Sequence, residues 1–437
     1  MSREQGLQVA LEQARAKYIQ QNPASKKLHT QALEFLPGGN TRAVLHADPF
    51  PLYMKAGHGY QVTSEDDKIY TDFTGEFTAA LYGHSSPLIK DTIISVVHNV
   101  GLNLSGTISA EQALASAICA RFNISKLRFT NSGTEGNLQA LAAARHFTKK
   151  RKVVVFGGAY HGGVLGFAGG KPATNNVDLD DWVVAKYNDI ESATRAIQSD
   201  GVAAVLMEGM QGAGGCIVGT PDFLKGVEEA AKKAGVLFIL DEVMTSRMSA
   251  HGLSSIRSIT PDLKTFGKWL GGGITFGAFG GRADIMAAYD PSRPDALPHS
   301  GTFNNNTLAM HTGYTGLTQI YTPSVANEFT QLGSEFIRRL NDVSKGTILC
   351  FTGLGTVMTA HFPVYGEKDI HDAADVEESA ELKELFWLEM LESGFWLARR
   401  GLIALILDTP ESELDRFVGV VSEFVSRNAA FLKPRAR

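Results

Sequence analysis

Two segments indicate the fold: V-L-F-I-L-D-E-V-M-T-S-R, from Val236 to Arg247, and P-D-L-K-T-F-G-K-W-L-G-G-G, from Pro261 to Gly273. Each contains an apolar run, which predicts a strand buried on both faces. Asp241 follows the first run, Val236–Leu240, and Lys268 comes after the second run, Leu263–Phe266. Ligands of open α/β sheets bind beyond the carboxyl ends of parallel strands. We therefore expect Asp241 and Lys268 to lie at one ligand-binding edge.

A carboxylate and a lysine at neighbouring strand ends can serve one reaction together. A lysine can form a Schiff base with an aldehyde, and a carboxylate can keep a pyridine nitrogen protonated so that the ring accepts electrons. Pyridoxal 5'-phosphate (PLP) chemistry needs both contacts. The alternative for this pair alone is a surface ion pair beside a flexible glycine loop, so the rest of the chain has to decide.

Composition limits the classes of protein that remain. The 437 residues suffice for one large domain with a smaller companion. Hydrophobic content of 44% and charged content of 20% are ordinary for a globular enzyme. A net charge of −5 argues against nucleic acid or an anionic membrane as the main partner. We also expect no membrane span, because no apolar run approaches the ~20 residues that one needs.

The cysteines and the N-terminus predict the compartment. The three cysteines, Cys119, Cys216 and Cys350, are far apart and odd in number. They indicate a reducing environment without a disulfide or zinc framework. The start, M-S-R-E-Q-G-L-Q, lacks the apolar core of a signal peptide. We expect a cytoplasmic protein with no metal site.

From Leu127 onward, short apolar strands alternate with helices, which predicts an α/β fold with a mostly parallel sheet covered on both faces. The predicted strands are Leu127–Thr130, Val153–Phe156, Val202–Met207 and Val236–Leu240, and the predicted helices are Gly133–Phe147 and Pro221–Ala234. After a turn-rich segment at 321–326, a mixed pattern of helices and strands predicts a smaller α+β domain. We expect an N-terminal segment (1–70) packing with the small domain, a large domain (71–322) and the small domain itself (323–437).

The N-terminal part contains three local predictions. A peripheral amphipathic helix is expected over Glu4–Gln20. A β-hairpin is expected over Tyr60–Phe73, with its turn at Glu65–Lys68. Ser109 followed by Gln112 predicts a capping box for a helix that runs through Ala120.

A possible anion site follows the first strand of the alternating region. There N-S-G-T-E-G-N, from Asn131, opens a helix. Ser132, Gly133 and Thr134 place two hydroxyl groups and unpaired backbone N–H groups at a helix N-terminus, which favours a phosphate. An ordinary N-cap is the alternative, because Ser and Thr are common there.

Two further strand ends carry polar side chains. V-V-V-F runs into G-G-A-Y-H-G-G, where Tyr160 can lie flat on a ligand ring. Glu208 ends the strand that precedes G-M-Q-G-A-G-G, and so adds a second carboxylate to the expected ligand edge. Simple packing of the tyrosine and a solvated strand end are the ordinary alternatives.

Taken together, these motifs are far more specific than any one of them. S-G-T, Y-H, E-G-M-Q-G and D-E-V follow successive strands, and G-K-W-L-G-G-G comes next. The sequence resembles the class III aminotransferases, PLP-dependent enzymes of fold type I, with matching blocks from about Pro37 to beyond Phe303 and a weaker match to the end. The resemblance implies a large domain with a mostly parallel, seven-stranded type of sheet, a smaller α+β domain, and PLP as cofactor.

The resemblance also implies roles around the cofactor ring. Lys268 matches the lysine that binds PLP covalently, and Asp241 matches the aspartate that faces the pyridine nitrogen. Val243 matches the apolar residue below the ring, and Tyr160 matches the aromatic residue above it. We place Glu208 with the cofactor-binding residues, although many relatives have Glu-Pro where this chain has Glu-Gly.

The phosphate would be bound from two subunits. Ser132, Gly133 and Thr134 match the phosphate loop. Thr302, in H-S-G-T-F-N-N-N, matches the threonine that reaches the phosphate from the other subunit. The resemblance therefore implies a homodimer with shared active sites.

Two groups within the family compete. Glutamate-1-semialdehyde 2,1-aminomutase shares P-G-G, N-S-G-T-E, Y-H-G, D-E-V-M-T and F-G-A-F-G-G-R-A-D-I-M with this chain. The β-amino acid aminotransferases, typified by β-phenylalanine aminotransferase, share these and also N-T-R-A-V-L, Y-H-G-G-V-L-G-F, E-G-M-Q-G-A-G-G, D-E-V-M-T-S-R, H-S-G-T-F-N-N-N and R-R-G-L. We favour the second group, which implies ping-pong transfer from an aromatic β-amino acid to 2-oxoglutarate or pyruvate. The enantiomer and the acceptor stay open.

Substrate carboxylates need cationic partners, and arginine offers bidentate geometry. Arg42 and Arg400 match the two arginines that the β-amino acid enzymes use for amino donor and keto acid. Surface charge is the alternative, and Arg399 is the obvious rival of Arg400. Phe77 is expected to line the side-chain pocket, although an aromatic residue in such a run is usually core. A non-catalytic binding protein with the same fold is a remote alternative, and the intact Lys268 and Asp241 argue against it.

Overall fold

The computed structural model describes residues 2–366 and 369–435, which form two compact units. The central unit comprises Pro87–Gln331 with Ile370–Asp375, and the terminal unit comprises Met1–Ser86, Leu332–Asp369 and Val376–Arg437. The unit boundaries at 86/87 and 331/332 differ in position from the predicted domain limits 1–70, 71–322 and 323–437, and that domain division stays a prediction.

The strands are short, as expected for an α/β chain. In chain order they are β1 (Met54–His58), β2 (Gln61–Ser64), β3 (Ile69–Asp72), β4 (Lys126–Thr130), β5 (Lys152–Phe156), β6 (Trp182–Ala185), β7 (Val202–Glu208), β8 (Met210–Gln211), β9 (Ile217–Val218), β10 (Leu237–Asp241), β11 (Leu263–Gly267), β12 (Gly277–Gly281), β13 (Cys350–Leu354), β14 (Val357–His361), β15 (Phe395–Trp396) and β16 (Leu402–Ala404).

The helices alternate with these strands in the central unit and flank them in the terminal unit. In chain order they are α1 (Arg3–Gln21), α2 (Pro23–Ala32), α3 (Pro87–Ser95), α4 (Ser109–Phe122), α5 (Gly133–Thr148), α6 (Ile190–Ile197), α7 (Pro221–Ala234), α8 (Leu253–Ile256), α9 (Ala283–Met286), α10 (Thr307–Thr315), α11 (Pro323–Val343), α12 (Ala380–Glu392) and α13 (Glu411–Arg427).

A seven-stranded sheet forms the core of the central unit, in the order β4-β12-β11-β10-β7-β5-β6. The pairs β5–β6, β5–β7, β7–β10 and β10–β11 are parallel, whereas β12 is antiparallel to both of its neighbours. The prediction of an α/β fold with a mostly parallel sheet is therefore confirmed. Because every side chain of β7 and β10 is buried, these strands read as continuous apolar runs.

Local sequence signals explain where α7 begins and ends. Thr220 accepts a hydrogen bond from the Phe223 N–H, and Pro221 occupies the first turn. Gly235 ends the helix in the left-handed conformation, with φ of 64°. Phe223 and Val227 lie on the buried face, at helical spacing.

The terminal unit contains two smaller sheets. One has the order β1-β2-β3-β15, and the other has the order β13-β14-β16. β3 pairs in parallel with β15, so strands from both ends of the chain share a sheet. Phe73, Phe336, Phe395 and Phe417 pack against one another, with ring centroids 4.9 to 6.0 Å apart. Because these four residues come from β3, α11, β15 and α13 or the positions next to them, the cluster joins distant parts of the chain.

Most local predictions are confirmed, and one is wrong. The helix at the N-terminus and the hairpin of β2 and β3 form as expected. The capping box at Ser109 is wrong: Ile108 is the N-cap of α4 and Ser109 already lies in the helix. Nothing in the sequence pattern indicated β6 or β12. No helix in the described parts of the chain is both long and apolar enough to span a bilayer.

Candidate active site

The register of the central sheet brings the predicted carboxylates together. Asp241 on β10 lies beside Glu208 on β7 and beside Thr265 on β11. Lys268 follows β11 directly and opens a short 3-10 turn. Its φ of 59° is unusual for a residue other than glycine, and such backbone conformations concentrate at functional sites.

Asp241 is 5% exposed, and hydrogen bonds fix its carboxylate. Its Oδ2 accepts a hydrogen bond from Asn137 Nδ2 at 2.8 Å and lies 2.8 Å from His161 Nδ1. Its Oδ1 accepts from the backbone N–H of Val243 at 3.0 Å. These contacts hold the carboxylate of Asp241 in one orientation.

Glu208 is the second buried carboxyl group, at 6% exposure. It accepts hydrogen bonds from the backbone N–H groups of Gly212 and Tyr160, each at 3.0 Å. Burial raises the pKa of Glu208 to about 7; the charge of His161 opposes this rise, and the carboxylate of Asp241 adds to it. Glu208 thus fixes the backbone beneath Tyr160, whose own side chain is half exposed.

The predicted phosphate loop forms the N-terminus of α5. Ser132 is the N-cap, and its hydroxyl accepts from the N–H of Glu135 at 3.2 Å. The Thr134 hydroxyl accepts from the N–H of Gly163 at 3.2 Å. The first N–H groups of a helix have no partner within it, so those of Gly133 and Thr134 are donors for an anion.

Val243 packs between this loop and the strand before Lys268. A Cβ at Gly133 would meet Val243 Cγ2 at 2.7 Å, and a Cβ at Gly267 would meet Val243 Cγ1 at 3.3 Å. The two glycines therefore let an apolar side chain approach both the anion site and the lysine.

Three polar residues of this cluster were missed by sequence reasoning. Asn137 is 1% exposed, His161 is 2% exposed and Thr265 is fully buried. The only sequence signals were a polar residue one turn inside α5, a histidine beside Tyr160 and a threonine in the apolar run of β11. Each signal is common in cores, so none of them separated a functional residue from a structural one.

The segment around Thr302 is exposed in the central unit. Thr302 and Phe303 both face solvent, and His299, Ser300 and Gly301 line a cavity of about 710 Å³. Asn304 accepts from Asn131 Nδ2 at 3.1 Å, which connects this segment to the anion loop.

The predicted substrate arginines lie together in the terminal unit. The guanidinium carbons of Arg42 and Arg400 are 5.2 and 5.5 Å from the centroid of the Phe77 ring. Arg42 also forms an ion pair with Glu76. Arg42, Glu76 and Phe77 line a cavity of about 690 Å³ within this unit. Cations near an aromatic face are stabilised by the ring.

Arg399 lines the same cavity but has other partners. Its Nη2 lies 3.0 Å from Glu384 Oε2, and Glu384 also accepts from Arg15. The structure therefore separates the two adjacent arginines, with Arg400 beside Phe77 and Arg399 in a second ion-pair cluster.

The backbone that carries Phe77 is strained. Gly75, Glu76, Phe77 and Thr78 all have positive φ, from 47° to 81°. Three of these residues have side chains, and this conformation is costly for them. Strain of this kind is typical of segments that hold a side chain in a functional position.

The residues at the sheet edge fit a phosphorylated pyridine aldehyde. The helix N-terminus suits the phosphate, the buried carboxylate suits a protonated ring nitrogen, and Lys268 supplies the amine for the aldehyde. Val243 approaches Gly133 of the anion loop and Gly267 before the lysine closely, so it offers an apolar surface next to both groups.

Comparison with known proteins agrees with this fit. Residues 44–406 match the family model "Aminotransferase class-III". The chain is 44% identical to a β-phenylalanine transaminase from Variovorax paradoxus, with 98% of each chain covered. A solved β-phenylalanine aminotransferase from the same organism superposes with a TM-score of 0.95 at 43% identity, covering 99% of this chain and 100% of that one.

Two other relatives are similar to the chain at lower sequence identity. A transaminase solved with PLP bound has a TM-score of 0.84 at 26% identity, covering 94% of this chain and 98% of that one. A glutamate-1-semialdehyde 2,1-aminomutase from Clostridium tetani is more distant, at 29% identity over 91% of this chain and 99% of the aminomutase. The chain belongs to the class III aminotransferase family and is a PLP-dependent aminotransferase.

Proposed function

We propose that the enzyme transfers the amino group of a β-amino acid, with an aromatic substrate such as β-phenylalanine, to 2-oxoglutarate or pyruvate. The observation that carries this proposal is the pair of guanidinium groups, from Arg42 and Arg400, at the ring of Phe77. One carboxylate-binding arginine for each substrate suits a reaction in which an amino acid and a keto acid take turns. The 44% identity to a β-phenylalanine transaminase supports the same choice.

The residues at the sheet edge have assigned tasks in this proposal. PLP, when bound, supplies the aldehyde that takes up the amino group and a ring that accepts the electrons of the broken C–H bond. The amine of Lys268 would remove the proton from the substrate carbon next to nitrogen and pass it to the cofactor carbon that carried the aldehyde oxygen; with the keto acid, it would move the proton in the opposite direction. Asp241 holds a proton on the pyridine nitrogen.

The other contacts orient the cofactor and exclude water. Ser132, Gly133 and Thr134 bind the phosphate at the α5 N-terminus, where the helix dipole favours an anion. Val243 would contact one face of the cofactor ring and Tyr160 the other. Glu208 keeps Tyr160 in place through the backbone hydrogen bond at 3.0 Å.

The arginines select the substrate. Arg42 and Arg400 bind the carboxylates of donor and acceptor, and Phe77 provides an apolar surface for an aromatic side chain. Arg399 has a structural task, because its guanidinium is paired with Glu384.

We also propose a homodimer in which Thr302 of one subunit binds the phosphate in the other. The exposed Thr302, the 51% exposed side chain of Phe303 and the adjoining cavity support this proposal. Light scattering should give twice the mass of one chain, and Thr302→Val should weaken PLP binding. A monomer with full activity would exclude shared sites. The cytoplasmic location stays a prediction.

Half-reaction spectroscopy tests the reaction type. β-Phenylalanine added without an acceptor should convert the bound cofactor from its aldehyde form to its amine form. Addition of 2-oxoglutarate or pyruvate should reverse the change and identify the acceptor. Conversion of glutamate-1-semialdehyde to 5-aminolevulinate without an acceptor, with no response to β-phenylalanine, would instead identify an aminomutase.

A further inference from the structure

A buried chain of side chains leads away from Asp241. The Thr265 hydroxyl donates to Asn137 Oδ1 at 2.8 Å, and Asn137 Nδ2 donates to Asp241 Oδ2 at 2.8 Å. Asn137 Nδ2 also donates to the backbone carbonyl of His161 at 2.9 Å. These groups are at most 5% exposed, so water cannot readily replace any of these contacts.

Three partners surround the Asn137 amide: the carboxylate of Asp241, the backbone carbonyl of His161 and the Thr265 hydroxyl. With the amide oxygen engaged by Thr265, both N–H bonds of the amide face acceptors. A flipped amide would put its oxygen against the carboxylate of Asp241 and against a carbonyl, which is repulsive. The two acceptors therefore set which way the amide points, and the Thr265 hydroxyl holds it there by donating to the amide oxygen, with an N–H group aimed at Asp241.

This orientation distinguishes the two oxygens of Asp241. Oδ2 has a donor from Asn137 and lies at hydrogen-bond distance from His161 Nδ1, whereas Oδ1 has the backbone N–H of Val243. A carboxylate oxygen can accept two hydrogen bonds. The network therefore fills Oδ2 and leaves capacity on Oδ1 for one further donor.

The positions of the network in the fold add a geometric link. Thr265 lies directly beside Asp241 in the sheet, and Asn137 lies on α5 four residues after Gly133. One helical turn, about 5.4 Å long, thus joins the anion site at the helix N-terminus to the donor that fixes Asp241. The same helix can set the distance between the phosphate and the ring nitrogen of one ligand.

We propose that Asn137 and Thr265 are positioning residues that fix the carboxylate of Asp241 for the pyridine nitrogen of PLP. The inference rests on the proposed role of Asp241. Neither residue touches the reacting atoms; both act through the orientation of one carboxylate.

The test compares Thr265→Val, Thr265→Ser, Asn137→Leu and Asp241→Asn as full-length proteins. Two properties are measured without substrate: the dissociation constant of PLP, and the pH dependence of the visible absorption of the PLP-loaded enzyme. Thr265→Val and Asn137→Leu should each weaken PLP binding about tenfold and shift the pH midpoint of the absorption change. Thr265→Ser keeps the hydroxyl and should restore both properties. A double variant that combines Thr265→Val with Asn137→Leu should bind PLP no more weakly than Asn137→Leu alone, because both changes act through one amide.

The outcomes separate this inference from the role of Asp241. If Asp241→Asn alters binding and absorption but Thr265→Val and Asn137→Leu match the wild type, the inference is wrong and the role of Asp241 stands. If Asp241→Asn matches the wild type, the role itself is wrong. A lower melting temperature with unchanged affinity and absorption would make both residues merely structural. If Asn137→Leu does not fold, the comparison of Thr265→Val with Thr265→Ser tests the inference: equal PLP affinity and absorption in the two variants would contradict it.

Discussion

Asp241 and Arg42 are both charged side chains at proposed sites, and the structure holds them in opposite ways. Asp241 is 5% exposed, with contacts from Asn137, His161 and a backbone N–H. The Arg42 side chain is 43% exposed, and its ion-pair partner Glu76 is 55% exposed. Buried hydrogen-bond networks keep one arrangement, whereas exposed ion pairs contribute little to stability and exchange their partners easily. We infer that the Asp241 region is built to hold one cofactor and the Arg42 region to exchange substrates.

Removal of the lysine should have the largest effect. Lys268→Ala should lower turnover by a factor on the order of 10⁴, because covalent cofactor binding and proton transfer are lost together. Steady-state assays with β-phenylalanine measure this loss, and circular dichroism checks the fold. Lys233→Ala, which changes an exposed lysine of α7, is the control. Turnover retained by Lys268→Ala would remove the basis of the site assignment.

The burial of the Asp241 region, which includes Glu208, can be tested through the pH dependence of the free energy of unfolding. Burial raises the pKa of Glu208 to about 7, so folding favours the protonated group. The resulting stabilisation is complete below the unfolded pKa of about 4.5 and is lost as the pH rises through about 7. In cofactor-free protein, this group should lower the free energy of unfolding by about 3 kcal/mol between pH 4.5 and pH 8.

Urea unfolding at several pH values measures this dependence. Glu208→Gln should reduce the loss of stability across that range, and Glu229→Gln, on the exposed side of α7, should not. Equal slopes for the wild type and Glu208→Gln would show that Glu208 is not the titrating group.

The adjacent arginines allow a matched comparison within the second region. Arg400→Ala should raise the KM of a carboxylate substrate about 10- to 100-fold, the range expected for a lost charge-assisted hydrogen bond. Arg399→Ala should instead lower the melting temperature, because Glu384 would lose one of the two arginines with which it pairs, Arg15 and Arg399. Steady-state kinetics and thermal unfolding of both variants distinguish these effects. The reverse pattern would make Arg399 the substrate residue.

The smallest expected effect concerns the ion pair itself. A substrate carboxylate has to compete with Glu76 for Arg42, so Glu76→Gln should lower KM about two- to fivefold, in line with the small energies of exposed pairs. An amine substrate without a carboxylate serves as the control, and its KM should not change in Glu76→Gln. An increase in KM for the carboxylate substrate would mean that Glu76 orients Arg42 instead of competing for it.

The sequence could predict much of the central sheet because its strands are short apolar runs between turn signals. The strands β7 and β10 and the helix α7 agree with their predicted positions within one or two residues. β12 escaped prediction because G-A-F-G-G offers few side chains and no alternation. The capping box at Ser109 failed because the isoleucine before it takes the cap position.

The residues of the candidate site also differ in whether local sequence patterns could predict them. Asp241, Lys268 and the anion loop could be predicted because each follows a strand or opens a helix. Asn137 and Thr265 could not, because their contacts join residues more than 100 positions apart. For adjacent residues of a turn, such as Arg399 and Arg400, the sequence does not show which side chain points toward a substrate pocket.

The most direct measurement is the single-turnover rate with β-phenylalanine, recorded at increasing substrate concentration. It yields a limiting rate and an apparent dissociation constant for the wild type, Arg42→Ala and Asp241→Asn. We predict that Arg42→Ala raises the dissociation constant and leaves the limiting rate nearly unchanged, whereas Asp241→Asn lowers the limiting rate about 100-fold or more. If Arg42→Ala lowers the limiting rate as much as Asp241→Asn does, the proposed division between a fixed cofactor region and an exchangeable substrate region is wrong.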